Sequence, residues 1–152
     1  MDKTLEDLLK NRDLDSFDNE PFIKKVDKPW GYELIFTPQE LPYTGKIMHI
    51  EAGKRLSLQI HDKKLESYWL SSGRCNLVIE NKKGELETIE MKKGVGYTMK
   101  VGQKHRHQAI TDCDVFEVSL PETGITYRLE DDYKRNHETE EVRSSNNRGW
   151  DK

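Results

Sequence analysis

Short segments separated by turn residues at near-regular intervals are the feature that most constrains the fold of this chain. A turn signal about every eight to twelve residues is typical of a β-sandwich or β-barrel. No stretch between the segments is long enough for a crossover helix, which argues against a parallel α/β sheet. The sequence therefore predicts an all-β barrel or jelly roll. The predicted strands are 33–36, 46–51, 55–61, 67–70, 74–81, 85–91, 105–110 and 115–120.

The composition changes at both ends of the chain. The 152 residues fit one domain, since that length leaves little room for a second core. Residues 1–20 are acidic, and the spacing of their leucines predicts one short amphipathic helix. Residues 136–152 are polar and predict a tail without a core of its own. We therefore predict a barrel over 21–135, with both flanking segments dispensable for its folding.

Charge and cysteine usage limit the partners and the compartment. The formal charge is only −3 and the two signs are mixed along the chain, so we expect neither a nucleic-acid nor a membrane partner. The N-terminus has no apolar stretch of the kind found in signal peptides. Cys75 and Cys113 lack a CxxC spacing and are interpreted as reduced packing residues. These features together predict a cytoplasmic protein.

One predicted strand carries side chains suited to metal binding. Residues two apart in a strand share a face, so Gln59 and His61 lie on one side of it. Glu66 follows after a short turn, and His105 and His107 share a face of a later strand. Two imidazoles and a carboxylate form a three-ligand site for Zn, Mn, Fe or Ni. Spacing alone leaves open that these histidines are surface residues.

Other polar residues are interpreted separately. His107 lies about 6–7 Å beyond His105 along the strand, too far for both to bind one ion easily. His49 and His137 are interpreted as exposed residues outside the site. Glu117 alternates with apolar neighbours and is either an interior base or an outward strand residue.

Two sets of residues resemble the cupin motifs. The first set comprises Gly53, Gln59, His61, Glu66 and Gly73, and the second runs over 94–105. More narrowly, the chain resembles the cupin domain of type II mannose-6-phosphate isomerases, including those fused to mannose-1-phosphate guanylyltransferases. Four stretches carry this resemblance: Lys-Pro-Trp-Gly at 28–31, Leu-Ser-Leu-Gln-x-His at 56–61, Gly-x-x-His-Arg at 102–106 and Arg-Leu-Glu-Asp-Asp-Tyr-x-Arg at 128–135.

The resemblance implies a cupin jelly roll that holds one divalent metal ion. It implies four ligands, namely Gln59, His61, Glu66 and His105. It also implies that Arg128 lies near the substrate, whereas the residues alone leave open a surface ion pair with Glu130, Asp131 or Asp132. The chain departs from the family at 62–65, Ser67 and Lys134, which we expect at the barrel mouth, where the substrate is chosen.

The function implied by the resemblance is aldose–ketose isomerisation of a sugar phosphate, or an action on a nucleotide-linked sugar. A divalent ion would act as a Lewis acid, with Glu117 as a candidate base and with Arg128 or the Lys63/Lys64 pair neutralising phosphate. A sugar-binding regulatory cupin and a non-haem metal oxygenase are the alternatives. Because jelly rolls have exposed edges, we expect a homodimer.

Overall fold

The computed structural model describes residues 2–150, which form two antiparallel β-sheets and two short helices. The strands are β1 (Lys24–Lys28), β2 (Gly31–Ile35), β3 (Thr44–Ile50), β4 (Leu58–His61), β5 (Glu66–Ser72), β6 (Cys75–Glu80), β7 (Leu86–Glu90), β8 (Gly96–Met99), β9 (His105–Ala109), β10 (Cys113–Ser119) and β11 (Thr126–Glu130). The helices are α1 (Lys3–Lys10) and α2 (Glu140–Ser144). The prediction of an all-β jelly roll is confirmed.

After β3 the chain passes repeatedly from one sheet to the other. One sheet has six strands in the order β1-β2-β3-β10-β5-β8, and the other has five in the order β11-β4-β9-β6-β7. Each of the eight predicted segments corresponds to a strand, with bounds that differ by a few residues. The sequence did not predict β1, β8 or β11. Of these, β11 matters most for the site because it pairs with β4.

The register of four strands, β4, β5, β9 and β11, brings the predicted site residues to one end of the barrel. In the five-stranded sheet, Gln59 on β4 is opposite His105 on one side and Arg128 on the other. In the six-stranded sheet, Glu66 begins β5 opposite Ser119 of β10. The inner faces of both sheets therefore supply side chains to the same end of the molecule.

Apolar side chains fill the rest of the barrel. Trp30, Met48 and Tyr68 belong to this core and also border the polar end. Gly31 follows Trp30 with a φ of 147°, and a Cβ there would overlap the carbonyl oxygen of His49. Glycine is therefore required where β2 begins. The core list is Trp30, Met48, Ile50, Leu56, Tyr68, Leu70, Cys75, Leu77, Met91, Met99, Ala109, Cys113 and Val115.

The two ends of the chain differ in how they contact the barrel. Helix α1 has no buried residue. The C-terminal segment, residues 136–150, returns to the barrel and buries Glu138. Cys75 and Cys113 are free thiols in the core. Among residues 2–150, the helices are too short and too polar for one of them to cross a bilayer.

Candidate metal centre

His61, Glu66 and His105 meet between the two sheets. Nε2 of His61 lies 2.9 Å from Oε1 of Glu66, and Nε2 of His105 lies 2.8 Å from the same oxygen. All three side chains are buried, and their ligand atoms lie within 4.8 Å of one another. The two histidines come from the five-stranded sheet and the glutamate from the six-stranded sheet. Closure of the barrel therefore brings the three groups together.

The outer nitrogens of both imidazoles have their own partners. Nδ1 of His105 donates to the carbonyl oxygen of Gln103 at 2.9 Å, and Nδ1 of His61 lies 2.9 Å from the hydroxyl of Thr126. Such contacts fix the ring and leave Nε2 as the free donor atom of a metal ligand. Burial lowers the pKa of His61, which favours the neutral ring that a metal requires.

The charge and the contacts of the Glu66 carboxylate indicate whether these residues fit a cation. Burial by itself would raise the pKa of Glu66, but Lys64 and the two histidines hold that pKa well below its usual range. Three nitrogens lie within 2.9 Å of the carboxylate, yet none makes an aligned hydrogen bond to either oxygen. A buried carboxylate without an aligned donor requires compensation. Lys64 is the cation at Oε2, whereas Oε1 faces two imidazole nitrogens, and this second oxygen fits a divalent ion.

Gln59 and His107 lie beside the cluster. The amide nitrogen of Gln59 is 3.5 Å from Nε2 of His61, and its amide oxygen accepts a hydrogen bond from Ser57. Gln59 would therefore have to turn its amide for the oxygen to become a fourth ligand. His107 is fully buried in edge contact with the Tyr68 ring. It does not belong to the cluster, and neither of its ring nitrogens has a hydrogen-bond partner among residues 2–150.

Lys64 links the cluster to a second buried carboxylate. Its Nζ lies 2.7 Å from Oε2 of Glu66 and 2.9 Å from Oε1 of Glu117. Burial by itself would lower the pKa of Lys64, but Glu117 and Glu66 raise it above its ordinary value. Burial raises the pKa of Glu117, although Lys46 and Lys64 oppose the change. Of the two orientations left open by the sequence, Glu117 has the inward one. Lys63, by contrast, is exposed.

Arg128 reaches the same end of the barrel from β11. Its guanidinium contacts Glu138 at 3.1 Å and the carbonyl oxygen of Asn136, rather than the acidic residues that immediately follow it. Only 7% of its side chain is exposed. Burial lowers the pKa of Arg128, opposed by Glu138. His137 is exposed and His49 half-buried, and both lie outside the cluster.

These side chains surround a chamber of about 40 Å³, a volume that holds roughly three water molecules. Three of the four stretches at 28–31, 56–61, 102–106 and 128–135 line it. They contribute Lys28 and Trp30 from the first stretch, Gln59 and His61 from the second, and Arg128 and Arg135 from the fourth. The remaining stretch supplies His105 of the adjoining cluster.

The sequence did not predict most of the buried charges around the chamber. On β2 and β3, Glu33 and Lys46 occupy inward positions whose other members are apolar. A charged residue at an apolar strand position is a signal that would have found them. Glu138 and Arg148 come from the polar segment and carry no such signal. The unpredicted set is Lys28, Glu33, Lys46, Glu122, Glu138 and Arg148.

Comparison with known proteins identifies the fold. No protein-family model and no curated protein matches the chain. A structure of oxalate decarboxylase from Bacillus subtilis matches with a TM-score of 0.61 and 20% identity, covering 75% of this chain and 33% of that one. A tryptophan-to-phenylalanine variant of that enzyme gives 0.63 and 20%, with the same coverage. A structure from work on its Mn(II) centres gives 0.62 and 19%, again with the same coverage.

The architecture shared with these structures is the cupin jelly roll, and the chain has the cupin fold. It spans about a third of the length of the oxalate decarboxylase chains. At this level of identity the likeness concerns the fold, and the activity has to be argued from the site.

Proposed function

We propose that this protein is a metal-dependent cupin enzyme that isomerises a sugar phosphate, as type II mannose-6-phosphate isomerases do. The observation that carries the proposal is the convergence of the resembling stretches on one buried chamber beside the His61–Glu66–His105 cluster. The four stretches are separated in sequence by tens of residues. A shared ligand-binding site explains why residues of these stretches meet there. Packing of the core alone would not require charged side chains among them.

His61, Glu66 and His105 would hold the ion, with Gln59 as a fourth ligand after its amide turns. When bound, a divalent ion supplies Lewis-acid polarisation of a carbonyl and of the adjacent hydroxyl oxygen. Lys64 keeps Glu66 ionised through the 2.7 Å contact. Glu117 lines the same chamber, and a carboxyl whose pKa is raised by burial suits the transfer of a proton between adjacent carbons. Arg128 would bind the phosphate.

A second candidate substrate class is a small dicarboxylate such as oxalate. A chamber of about 40 Å³ is too small for a sugar phosphate as it stands, and the similar solved structures are oxalate decarboxylases. Lys28 and Arg128 would bind one carboxylate through charge-assisted hydrogen bonds. The fold likeness does not choose between the two substrates, because a single fold hosts many activities.

Metal loading followed by substrate screening tests the proposal. The chain is loaded separately with Zn, Mn, Fe and Ni, and each form is incubated with hexose and pentose phosphates and with oxalate. Proton NMR follows aldose–ketose exchange, and carbon dioxide release follows decarboxylation. We expect isomerisation that falls at least a hundredfold in Glu117→Gln with unchanged metal content. Oxygen uptake by the iron form would instead indicate an oxygenase, and saturable binding without turnover a regulatory cupin.

Arg128→Lys examines the phosphate contact. Lysine keeps the charge but loses the paired donors of a guanidinium, so we expect a raised KM and little change in kcat. Lys63→Ala is the matched control because Lys63 is exposed. An unchanged KM in Arg128→Lys would contradict the role of Arg128. The cytoplasmic location, the homodimer and a nucleotide-linked sugar as an alternative substrate stay predictions.

A further inference from the structure

The C-terminal segment, residues 136–150, places one carboxylate at the edge of the chamber. Glu138 forms an isolated antiparallel bridge with Thr126, whose hydroxyl contacts His61. The backbone N–H of each bridge residue donates to the carbonyl oxygen of the other at 3.0 Å. Glu138 is only 7% exposed. The bridge therefore fixes its side chain beside the candidate metal centre.

Two cations of the barrel wall hold this carboxylate. Arg128 contacts Oε2 of Glu138 at 3.1 Å, and Nζ of Lys28 lies 3.8 Å from the same oxygen. The side chains of Arg128 and Lys28 are 7% and 5% exposed. Nε of Arg128 is buried and has no partner within residues 2–150. One carboxylate thus leaves donor capacity unused at this position, which an anion with more oxygens would satisfy.

The helical part of the segment that carries Glu138 is weakly packed, although the side chains of Glu138 and Arg148 are themselves buried. Helix α2 has no buried residue, and its five residues form little more than one turn. Asn147 and Arg148 both have positive φ values, 48° and 52°, in a region that costs free energy for residues other than glycine. Arg143 and Arg148 pair with Glu138 at 3.4 Å but belong to the same segment. They would leave together with it, and Arg148 would give up its ion pairs with Glu33 and Glu122 of the barrel.

The position of the C-terminal segment affects access to the chamber. Glu138 and Arg148 are part of the chamber lining. About 40 Å³ admits a few waters but no sugar phosphate. A sugar phosphate therefore needs the segment to move, and the movement uncovers Arg128 and Lys28, although Lys28 keeps Glu33 at 4.0 Å.

We propose that Lys28 and Arg128 form an anion subsite beside the metal centre and that Glu138 occupies this subsite until a phosphate or carboxylate group of a ligand displaces it. Residues 136–150 then act as a lid opened by exchange of one anion for another. The inference deepens the proposed function by naming where the anionic group of the substrate binds. The inference differs from the proposed function because it concerns binding of an anion, which does not require turnover.

Phosphate binding tests the subsite. Inorganic phosphate is titrated calorimetrically into the metal-loaded parent, Glu138→Gln and Glu130→Gln. Glu130 is the matched control because its carboxylate contacts Arg106 and is 64% exposed. We expect phosphate to bind Glu138→Gln about tenfold more tightly than the parent, since a tethered competitor has a high effective concentration. The control should match the parent, and adding Arg128→Gln to Glu138→Gln should abolish the gain.

Hydrogen exchange on the parent protein gives an independent readout. Saturating phosphate should speed amide exchange across 136–150, because the bridge to Thr126 is released. Equal phosphate affinity in the parent and Glu138→Gln would overturn the inference, as would slower exchange of the segment. A gain that survives loss of Arg128 would also overturn it. Because neither readout measures catalysis, failure to convert sugar phosphate or oxalate would refute the proposed function alone.

Discussion

The two oxygens of the Glu66 carboxylate face different partners, and Lys64 is the partner of Oε2. Nζ of Lys64 lies 2.7 Å from Oε2, whereas Oε1 faces Nε2 of His61 and of His105. Lys64 therefore keeps the carboxylate ionised without occupying the oxygen that the histidines share. This division of roles leaves one anionic oxygen and two imidazole nitrogens for a cation.

Metal content should follow this geometry. We expect His61→Ala, His105→Ala and Glu66→Gln each to lose the ion, because a three-ligand site cannot spare a donor. A metal present at a hundred times its dissociation constant contributes about 2.7 kcal/mol of folding stability. A chelator should therefore lower the melting temperature of the parent by roughly 5–10 °C. Elemental analysis and calorimetry measure both effects.

His107→Ala is the control for that experiment. It removes a neighbouring histidine outside the cluster, so the metal should be retained even though the cavity lowers stability. Metal retention in His105→Ala, or metal loss in His107→Ala, would show that the wrong histidine has been assigned.

Replacing His107 by leucine should stabilise the fold. The side chain is fully buried, and neither ring nitrogen has a partner in the described part of the chain. An unsatisfied buried polar group costs about 1–3 kcal/mol, and leucine is close to histidine in size. We expect urea unfolding at pH 7.5 to show a gain of that order. His137→Leu, at an exposed position, should change little. A less stable His107→Leu would indicate a partner for the ring, such as water.

Glu138 should make stability depend on acid pH. Burial by itself would raise the pKa of Glu138, but Lys28 and Arg148 lower that pKa to about 2. Because the folded state has the lower pKa, the stabilisation is complete above the unfolded value of about 4.3. It is lost as the pH falls from there towards 2. The full contribution is about 3 kcal/mol.

Glu138→Gln removes that contribution. The variant should be less stable than the parent at pH 7, and its unfolding free energy should change less between pH 4.5 and pH 2. Glu130→Gln provides the comparison at an exposed carboxylate. Parallel pH profiles for the parent and Glu138→Gln would contradict the lowered pKa.

The sequence predicted those parts of the fold that produce a pattern among neighbouring residues of the chain. Turn signals located eight strands, and alternation within one of them placed Gln59 and His61 on one face. Strand β1 was missed because four of its five residues are charged, so it does not stand out as a strand segment between turns. The return of the C-terminal segment was missed for a different reason. The side chain of Arg148 is buried and forms ion pairs with Glu33, Glu122 and Glu138. Because these partners are not its neighbours in the sequence, no local pattern predicts the contacts.

Separate deletions of the two ends of the chain should affect stability differently. The sequence predicts that both ends are dispensable, and for residues 1–20 the structure gives the same expectation because α1 is exposed throughout. A chain of residues 21–152 should therefore unfold within about 0.5 kcal/mol of the parent. A chain ending at residue 135 loses Glu138 and Arg148, and it leaves Lys28, Arg128 and Glu122 with fewer opposite charges in a buried setting.

Breaking a buried ion pair costs about 3–5 kcal/mol, and water entering the opened chamber would recover part of that loss. We expect the chain ending at 135 to remain β-rich by circular dichroism, with an unfolding free energy lower by about 2–4 kcal/mol. Urea denaturation of the two truncations beside the parent measures the difference. Equal stability of the two truncations would mean that Glu138 and Arg148 only lie against the barrel, and that the buried charges are balanced without them.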